Sequence, residues 1–142
     1  MKLSIYSFGK SRGWISDGVD QYLRRMPQVS VESISDKPVK DKEERMYSRI
    51  ARGELVVVLD EKGESFTTRE LATKYKSWQM SGSNVSFLIG DADGFSNAIR
   101  ERADLVWSLS ALTFPHALAR VIVCEQLYRV RSLLNGHPYH RS

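Results

Sequence analysis

Three glycine- and serine-rich bends are the segments of this sequence best suited to hold a small molecule. They comprise residues 59–63, 90–94 and 109–115, and each follows a predicted β-strand. In open α/β sheets, ligands bind beyond the carboxyl ends of the strands, where glycine lets the backbone come close and free N–H and C=O groups can bind adenine and ribose. Taken singly, each bend could equally be an ordinary turn of an α/β fold. Together they predict one shared pocket.

Cationic and aromatic side chains concentrate near the C-terminal end. After His116 the chain carries one acid, Glu125, and four arginines, which are Arg120, Arg129, Arg131 and Arg141. Tyr139 and His140 lie just before the last of these arginines. Cations for phosphate beside rings for stacking are typical of proteins that bind single-stranded RNA. A solvated, frayed terminus would have the same composition.

Several other chemistries are excluded by their missing residues. Residues 9–11 resemble the end of a phosphate-binding loop, but Ser4 stands where that motif needs glycine. The sequence has neither the G-x-G-x-x-G of dinucleotide sites nor the G-x-S-x-G of hydrolases. His137 and His140 lack further ligands nearby, so we predict no metal. The single cysteine, Cys124, excludes an intrachain disulfide and indicates a reducing compartment.

Composition indicates one globular domain over residues 1–142. The chain is 42% hydrophobic and 27% charged, and its formal net charge of +4 favours a polyanionic partner. The first residues are too short and too alternating for a signal peptide, and no apolar run is long enough to span a bilayer. We therefore expect a cytoplasmic protein that does not bind membranes.

Alternating strand and helix patterns predict an α/β fold with a mostly parallel sheet. Strands are predicted at residues 3–8, 29–34, 54–60, 85–90 and 105–109, and helices at 14–26, 67–82, 96–103 and 116–134. Thr67 with Glu70 matches a capping box, Gly82 marks the end of that helix, and Ser96 can cap the next one. Nine of the fourteen residues from 36 to 49 are charged, which indicates a solvated helix or mobile loop. The last helix is apolar on two sides, so it needs two packing partners. We expect the sheet and a second copy of the chain, although burial within one chain would give the same pattern.

The sequence resembles the ribosomal large subunit methyltransferase H family of the SPOUT class. The resemblance covers essentially the whole chain and is most specific at residues 108–116, 125–129 and 137–141, with support from residues 22–25 and 87–90. It implies a single-domain parallel-sheet fold with a C-terminal trefoil knot that holds S-adenosylmethionine. It also implies a homodimer that methylates N3 of a pseudouridine in the helix-69 loop of bacterial 23S rRNA, on assembled ribosomes.

The resemblance also implies roles for individual residues. The cofactor contacts carry over to Leu59, Gly90, Leu109, Ser110, Ala111, Leu112, Thr113 and Phe114. Catalytic candidates are His116, Tyr139, His140 and Arg141, and we favour Tyr139 and Arg141 for placing and polarising the target base. For His116, a structural role in capping and packing is as plausible as a chemical role. RNA contacts are expected from Arg120, Arg129, Tyr139 and Arg141, although Arg120 and Arg129 could instead form salt bridges to Glu125 across the dimer, a role that we favour for Arg129.

Two departures from the family pattern affect these expectations. Relatives have two glycines after the fourth strand, whereas here Asp91 follows Gly90, and its side chain could crowd the cofactor. The charged segment from residue 36 to residue 53 is shorter than in relatives. One alternative is a non-enzymatic RNA-binding module with the same fold. Another is a flavodoxin-like protein, but residues 9–14 lack the hydroxyl-rich pattern of its phosphate loop.

Overall fold

Strands and helices alternate through the computed structural model, which describes residues 1–141. In chain order the elements are β1 Leu3–Phe8, α1 Gly13–Leu23, β2 Val29–Ile34, α2 Lys42–Tyr47, β3 Leu55–Glu64, α3 Thr68–Ser81, β4 Val85–Ile89, α4 Asn97–Arg102, β5 Leu105–Trp107 and α5 His116–Leu134. The predicted single-domain α/β class is confirmed.

The five strands form one parallel sheet in the order β2-β1-β4-β3-β5. All carboxyl ends therefore lie at the same edge of the sheet. Every residue of β1 and β4 is buried, so both faces of the central strands are covered. That burial explains their β-branched and aromatic composition, which is typical of parallel sheets with helices on both sides.

Alternate residues of β3 enter two separate hydrophobic clusters. Val57 and Leu59 point into the larger one, while Val56 and Val58 point into the smaller one. Successive side chains of a strand face opposite sides of the sheet, so the clusters mark its two faces. The larger cluster includes residues of α1, α3 and α5, and the smaller includes residues of α2 and α4.

The ends of several elements differ from the prediction. Helix α1 ends at Leu23, and hydrogen-bonded turns carry the chain to the buried Met26 before Pro27. Strand β3 continues to Glu64, so the predicted end of this strand at residue 60 was wrong. Because Leu59 and Glu64 both align with Trp107, residues 60–63 bulge out of the ladder.

The predicted capping signals are confirmed. The Thr67 hydroxyl accepts from the Glu70 backbone N–H at 3.1 Å, and the Glu70 carboxylate accepts from the Thr67 N–H at 2.9 Å. Hydrogen bonds to the Glu70 carboxylate, first from the Thr67 backbone N–H and then from the Thr67 side chain, lower the pKa of Glu70. Gly82 ends α3 with φ at +69°, and the Ser96 hydroxyl caps α4.

The second apolar face of α5 is covered in part within the same chain, while Val121 and Tyr128 stay partly exposed. Helix α5 packs between α1 and α3. Gly18 of α1 is small enough to accept the Val121 side chain of α5, and the Tyr22 and Tyr128 rings lie 5.9 Å apart. The two-sided pattern of α5 therefore does not require a second copy, and the homodimer stays a prediction.

Candidate functional site

The three glycine- and serine-rich bends surround one cavity at the carboxyl edge of the sheet. Its volume is about 650 Å³, which lies within the range of small-molecule sites. Seven of the eight predicted cofactor contacts line it, namely Leu59, Gly90, Leu109, Ser110, Leu112, Thr113 and Phe114. Ala111 belongs to the same bend but does not line the cavity. The side chains of Ile89 and Trp107, which the sequence pattern did not single out, add to its apolar wall.

Gly90 is required because the bend folds tightly over Phe95. A Cβ atom at Gly90 would lie 3.2 Å from a ring carbon of Phe95 and 3.3 Å from the carbonyl carbon of Gly94. Phe95 is buried and cannot easily move away. A side chain at Gly90 would therefore push the bend out of position and change the cavity wall.

Hydroxyl groups hold the bend after β5 in a defined shape. The Ser108 hydroxyl donates to the Ser110 carbonyl at 3.0 Å, and the Ser110 hydroxyl accepts from the Leu112 N–H at 3.0 Å. The Thr113 hydroxyl donates to the Glu61 carboxylate at 2.8 Å, which links this bend to the bulge of β3. The serine and threonine residues thus order the wall before any ligand arrives.

Two carboxylates at the cavity are paired with cations. Asp60 lies 3.1 Å from Arg100, and its side chain is only 8% exposed. Asp91 lies 2.6 Å from Lys42 of α2, and this hydrogen bond is the main cause that raises the pKa of Lys42. Asp60 is the last residue of a predicted strand, so its position at this edge of the sheet could have been predicted. Lys42 is distant in sequence, and no sequence pattern pointed to it.

His116 is the one catalytic candidate that lines the cavity. It is the first residue of α5, and the neighbouring turn of that helix adds Ala119 to the wall. Further along α5, burial raises the pKa of the Cys124 thiol to about 12. This thiol is fully buried and remains protonated at neutral pH, so it is not a nucleophile.

The other three catalytic candidates, Tyr139, His140 and Arg141, do not line the cavity of their own chain. The Tyr139 hydroxyl lies 3.3 Å from the Glu125 carboxylate and 3.3 Å from the Tyr22 hydroxyl. Burial, followed by the hydrogen bond with Tyr22, raises the pKa of Tyr139. The C-terminal tail, residues 137–141, is therefore folded against α1 and α5.

Arg129 connects α5 to this tail. It lies 2.6 Å from the Glu125 carboxylate, contacts Nδ1 of His140 at 3.3 Å and stacks over the Tyr139 ring at 4.9 Å. The hydrogen bond to Glu125 is the main cause that raises the pKa of Arg129. Arg129 therefore pairs with Glu125 within its own chain, whereas the sequence left open a pairing with Glu125 across a dimer.

The tail is well separated from the cavity along α5. Glu125 follows His116 by nine residues, which corresponds to about 14 Å of helix at 1.5 Å per residue. Tyr139 therefore contacts the helix about 14 Å beyond His116 and about 9 Å beyond Ala119, the two residues of α5 that line the cavity. In the described conformation, tail and cavity of one chain do not form a single site.

Arg120 was predicted to contact RNA, but its side chain is buried. Its side chain is 1% exposed, and its Nη2 donates to the carbonyl oxygens of Phe8 at 3.0 Å and Gly9 at 3.3 Å. Desolvation lowers the pKa of Arg120. In this position the guanidinium ties α5 to the end of β1, and it does not face a phosphate.

Within residues 1–141, no group of three or more His, Cys, Asp or Glu side chains is placed to hold a metal ion. No helix in this part of the chain is long and apolar enough to cross a membrane.

Comparison with known proteins gives consistent results. A family model described as a predicted SPOUT methyltransferase matches residues 1–140. Proteins called ribosomal RNA large subunit methyltransferase H are similar over 99% of both chains, with 40% identity in Polynucleobacter asymbioticus and 42% in Thioalkalivibrio sulfidiphilus.

Solved structures share the fold at low sequence identity. A probable methylase family protein from Haemophilus influenzae superposes with a TM-score of 0.64 at 13% identity, covering 99% of this chain and 70% of that chain. A probable methyltransferase from Bordetella pertussis also gives 0.64, at 12% identity, covering 91% of this chain and 95% of that chain.

Proposed function

Because this chain belongs to the SPOUT methyltransferases, in the family of ribosomal RNA large subunit methyltransferase H, we propose that it methylates 23S rRNA with S-adenosylmethionine as donor. The proposed target is N3 of a pseudouridine in the helix-69 loop of assembled ribosomes, and the proposed location is the cytoplasm. The observation that carries the proposal is the convergence of the three bends on one cavity.

The residues around the cavity fit S-adenosylmethionine in shape and chemistry. Leu59, Ile89 and Trp107 offer apolar surface for an adenine ring. The bend after β5 offers backbone N–H and C=O groups, which suit the edges of adenine and the ribose hydroxyls. Gly90 lets the bend after β4 fold closely over Phe95, and this fold shapes one wall of the cavity.

When bound, the cofactor supplies an electrophilic methyl group, so the protein must align the target nitrogen and help it lose its proton. Pseudouridine N3 lies between two carbonyls and becomes a good nucleophile as its proton leaves. A general base or a cation near those carbonyls would favour this step. His116 is placed to act at the cavity, and we propose Tyr139 and Arg141 as the groups that place and polarise the base.

The distance between tail and cavity favours a homodimer. Since Tyr139 contacts α5 about 14 Å beyond His116, the tail of one chain would have to act on the cavity of another or move before it could act on its own. We propose the first arrangement, in which a second copy completes the site. A trefoil knot around the cofactor bends is part of the same proposal.

RNA would be held by the cationic residues that remain accessible. Arg141 is exposed, and Arg129 is partly exposed although it is paired with Glu125. The net charge of +4 would strengthen binding to RNA at low salt. Arg120 is left out of this role because its guanidinium is buried on two carbonyl groups.

Methyl transfer to ribosomes tests the proposed function. Ribosomes from cells that lack this gene are incubated with the protein and labelled S-adenosylmethionine, and the modified nucleotide is located by mass spectrometry. We expect label at N3 of one pseudouridine in 23S rRNA. Label elsewhere would refute the proposed target. Binding of ribosomes without any transfer would favour the non-enzymatic RNA-binding module.

Two tail variants test the proposed roles of Tyr139 and Arg141. We expect Tyr139→Phe and Arg141→Ala to reduce methyl transfer while the dissociation constant for S-adenosylmethionine stays nearly unchanged. Transfer rates equal to wild type in both variants would remove these residues from the mechanism.

A further inference from the structure

Helix α2 is attached to the rim of the cavity, although its sequence predicted a solvated segment. The Lys42 ammonium lies 2.6 Å from the Asp91 carboxylate, and the Glu43 carboxylate accepts from the Ser96 N–H at 2.8 Å and the Ser96 hydroxyl at 2.6 Å. These contacts hold the bend after β4 from both of its ends. The bend itself, residues 90–94, lines the cavity.

The ion pair between Lys42 and Asp91 is shielded from solvent. The two side chains are 13% and 17% exposed, and the Lys42 ammonium lies 5.4 Å from the centre of the Phe8 ring. By contrast, the surface pair between Arg49 and Glu32 has side chains that are 55% and 41% exposed. Shielded pairs are weakened less by water and salt than exposed ones, so the first pair can fix a loop where the second cannot.

We propose that Lys42 is a positioning residue for the donor site, which acts by holding Asp91 and with it the bend after β4 in the shape that binds S-adenosylmethionine. This inference rests on the proposed function. Lys42 does not line the cavity, so its effect must pass through Asp91.

Apart from the ion pair with Lys42, the hydrogen bonds of Asp91 lie within the bend. The Asp91 carboxylate accepts a long hydrogen bond from the Asp93 N–H at 3.4 Å, and the Gly94 N–H donates to the Asp91 carbonyl at 2.9 Å. Both bonds are local and would move with the bend. Without the tether the bend would sample other shapes, and apparent affinity falls in proportion to the fraction of molecules that remain competent to bind.

A double variant, Lys42→Met with Asp91→Asn, separates tethering from charge. It removes one positive and one negative group, so the net charge at the rim is unchanged. We expect it to bind S-adenosylmethionine about tenfold more weakly than wild type by calorimetry, as expected if about one molecule in ten keeps the competent bend. Because both residues act through one contact, each single variant should lose about as much as the double variant.

The matched control removes the exposed pair by Arg49→Met with Glu32→Gln, and it should bind like wild type. Lys42→Arg keeps the charge and should stay within about threefold of wild type. Thermal unfolding of each variant without ligand measures any general loss of stability. This measurement separates such a loss from a local change in the bend.

Several results would overturn the inference. These are wild-type affinity in the double variant, additive losses in the single variants, or a loss in Lys42→Arg as large as in the double variant. If the wild-type protein itself gives no heat with S-adenosylmethionine, the proposed function fails instead, so the two failures are distinguishable.

Discussion

Gly63 lies where the bulge of β3 touches β5, and a methyl group there should disturb both the sheet and the cavity. A Cβ atom at Gly63 would lie 2.6 Å from the carbonyl oxygen of Val106 and 2.9 Å from the backbone nitrogen of Trp107. The first distance is about 0.8 Å shorter than the 3.4 Å at which ordinary contact begins. Backbone atoms cannot rotate away, so Gly63→Ala must push the two strands apart.

The expected loss of stability follows from that overlap. Forcing a methyl group into a packed site typically destabilises a protein by about 1–3 kcal/mol. We place Gly63→Ala near the upper end, at about 2–3 kcal/mol, because the clash is with backbone. For a chain of this size, that loss corresponds to a decrease in Tm of about 5–10 °C. The affinity for S-adenosylmethionine should fall as well, since Trp107 lines the cavity.

Gly18→Ala is the matched control for this experiment. Its Cβ atom would lie 3.6 Å from Val121, which is ordinary contact, and Gly18 is inside α1. Alanine is the better helix former, so we expect stability unchanged or raised by up to about 1 kcal/mol. Urea unfolding of both variants gives the two free energies. Equal stability of Gly63→Ala and wild type would refute the reasoning about the bulge.

Three further predictions concern buried or capping groups. Thr67→Ala should reduce the free energy of unfolding by about 1 kcal/mol in urea titrations. In wild type, the contribution of Glu70, whose folded pKa is lowered, should be present above its unfolded pKa and lost as pH falls through the folded value. The largest cause is the backbone N–H of residue 67, which alanine keeps, so most of this pH dependence should remain in Thr67→Ala, and its complete loss there would contradict the reasoning. Cys124 should not react with a thiol reagent at pH 8 until the protein is unfolded, because the thiol is buried and its pKa is raised to about 12; fast reaction of the folded protein would contradict that. Arg120→Ala should destabilise the protein by about 2–4 kcal/mol, because it removes hydrogen bonds and leaves a cavity. Wild-type stability together with weaker RNA binding would contradict this and would support the RNA contact that the sequence predicted for Arg120.

Periodicity and capping residues predicted most of the fold, because local sequence determines these features. The Thr67 and Glu70 pair located the start of α3, and the apolar alternation located the strands. The bulge after Leu59 was missed, since Asp60 and Gly63 are typical turn residues. Only the pairing with β5, which is distant in sequence, extends the strand to Glu64.

The site was predicted in part, and the missing part depends on tertiary contacts. The bends were located because carboxyl ends of parallel strands meet at one edge. Burial of Arg120 was not predictable from composition, since its partners are carbonyl groups of β1 and the following turn. The role of Lys42 was hidden because a run of charged residues ordinarily indicates a solvated surface.

Titration of the purified protein with S-adenosylmethionine in a calorimeter tests the central claim most directly. We predict one binding event per chain with a micromolar dissociation constant, and weaker binding in Gly90→Val, where added methyl groups meet Phe95 and Gly94. The absence of heat with a folded wild-type protein, or equal binding by Gly90→Val, would contradict the assignment of this cavity as the donor site.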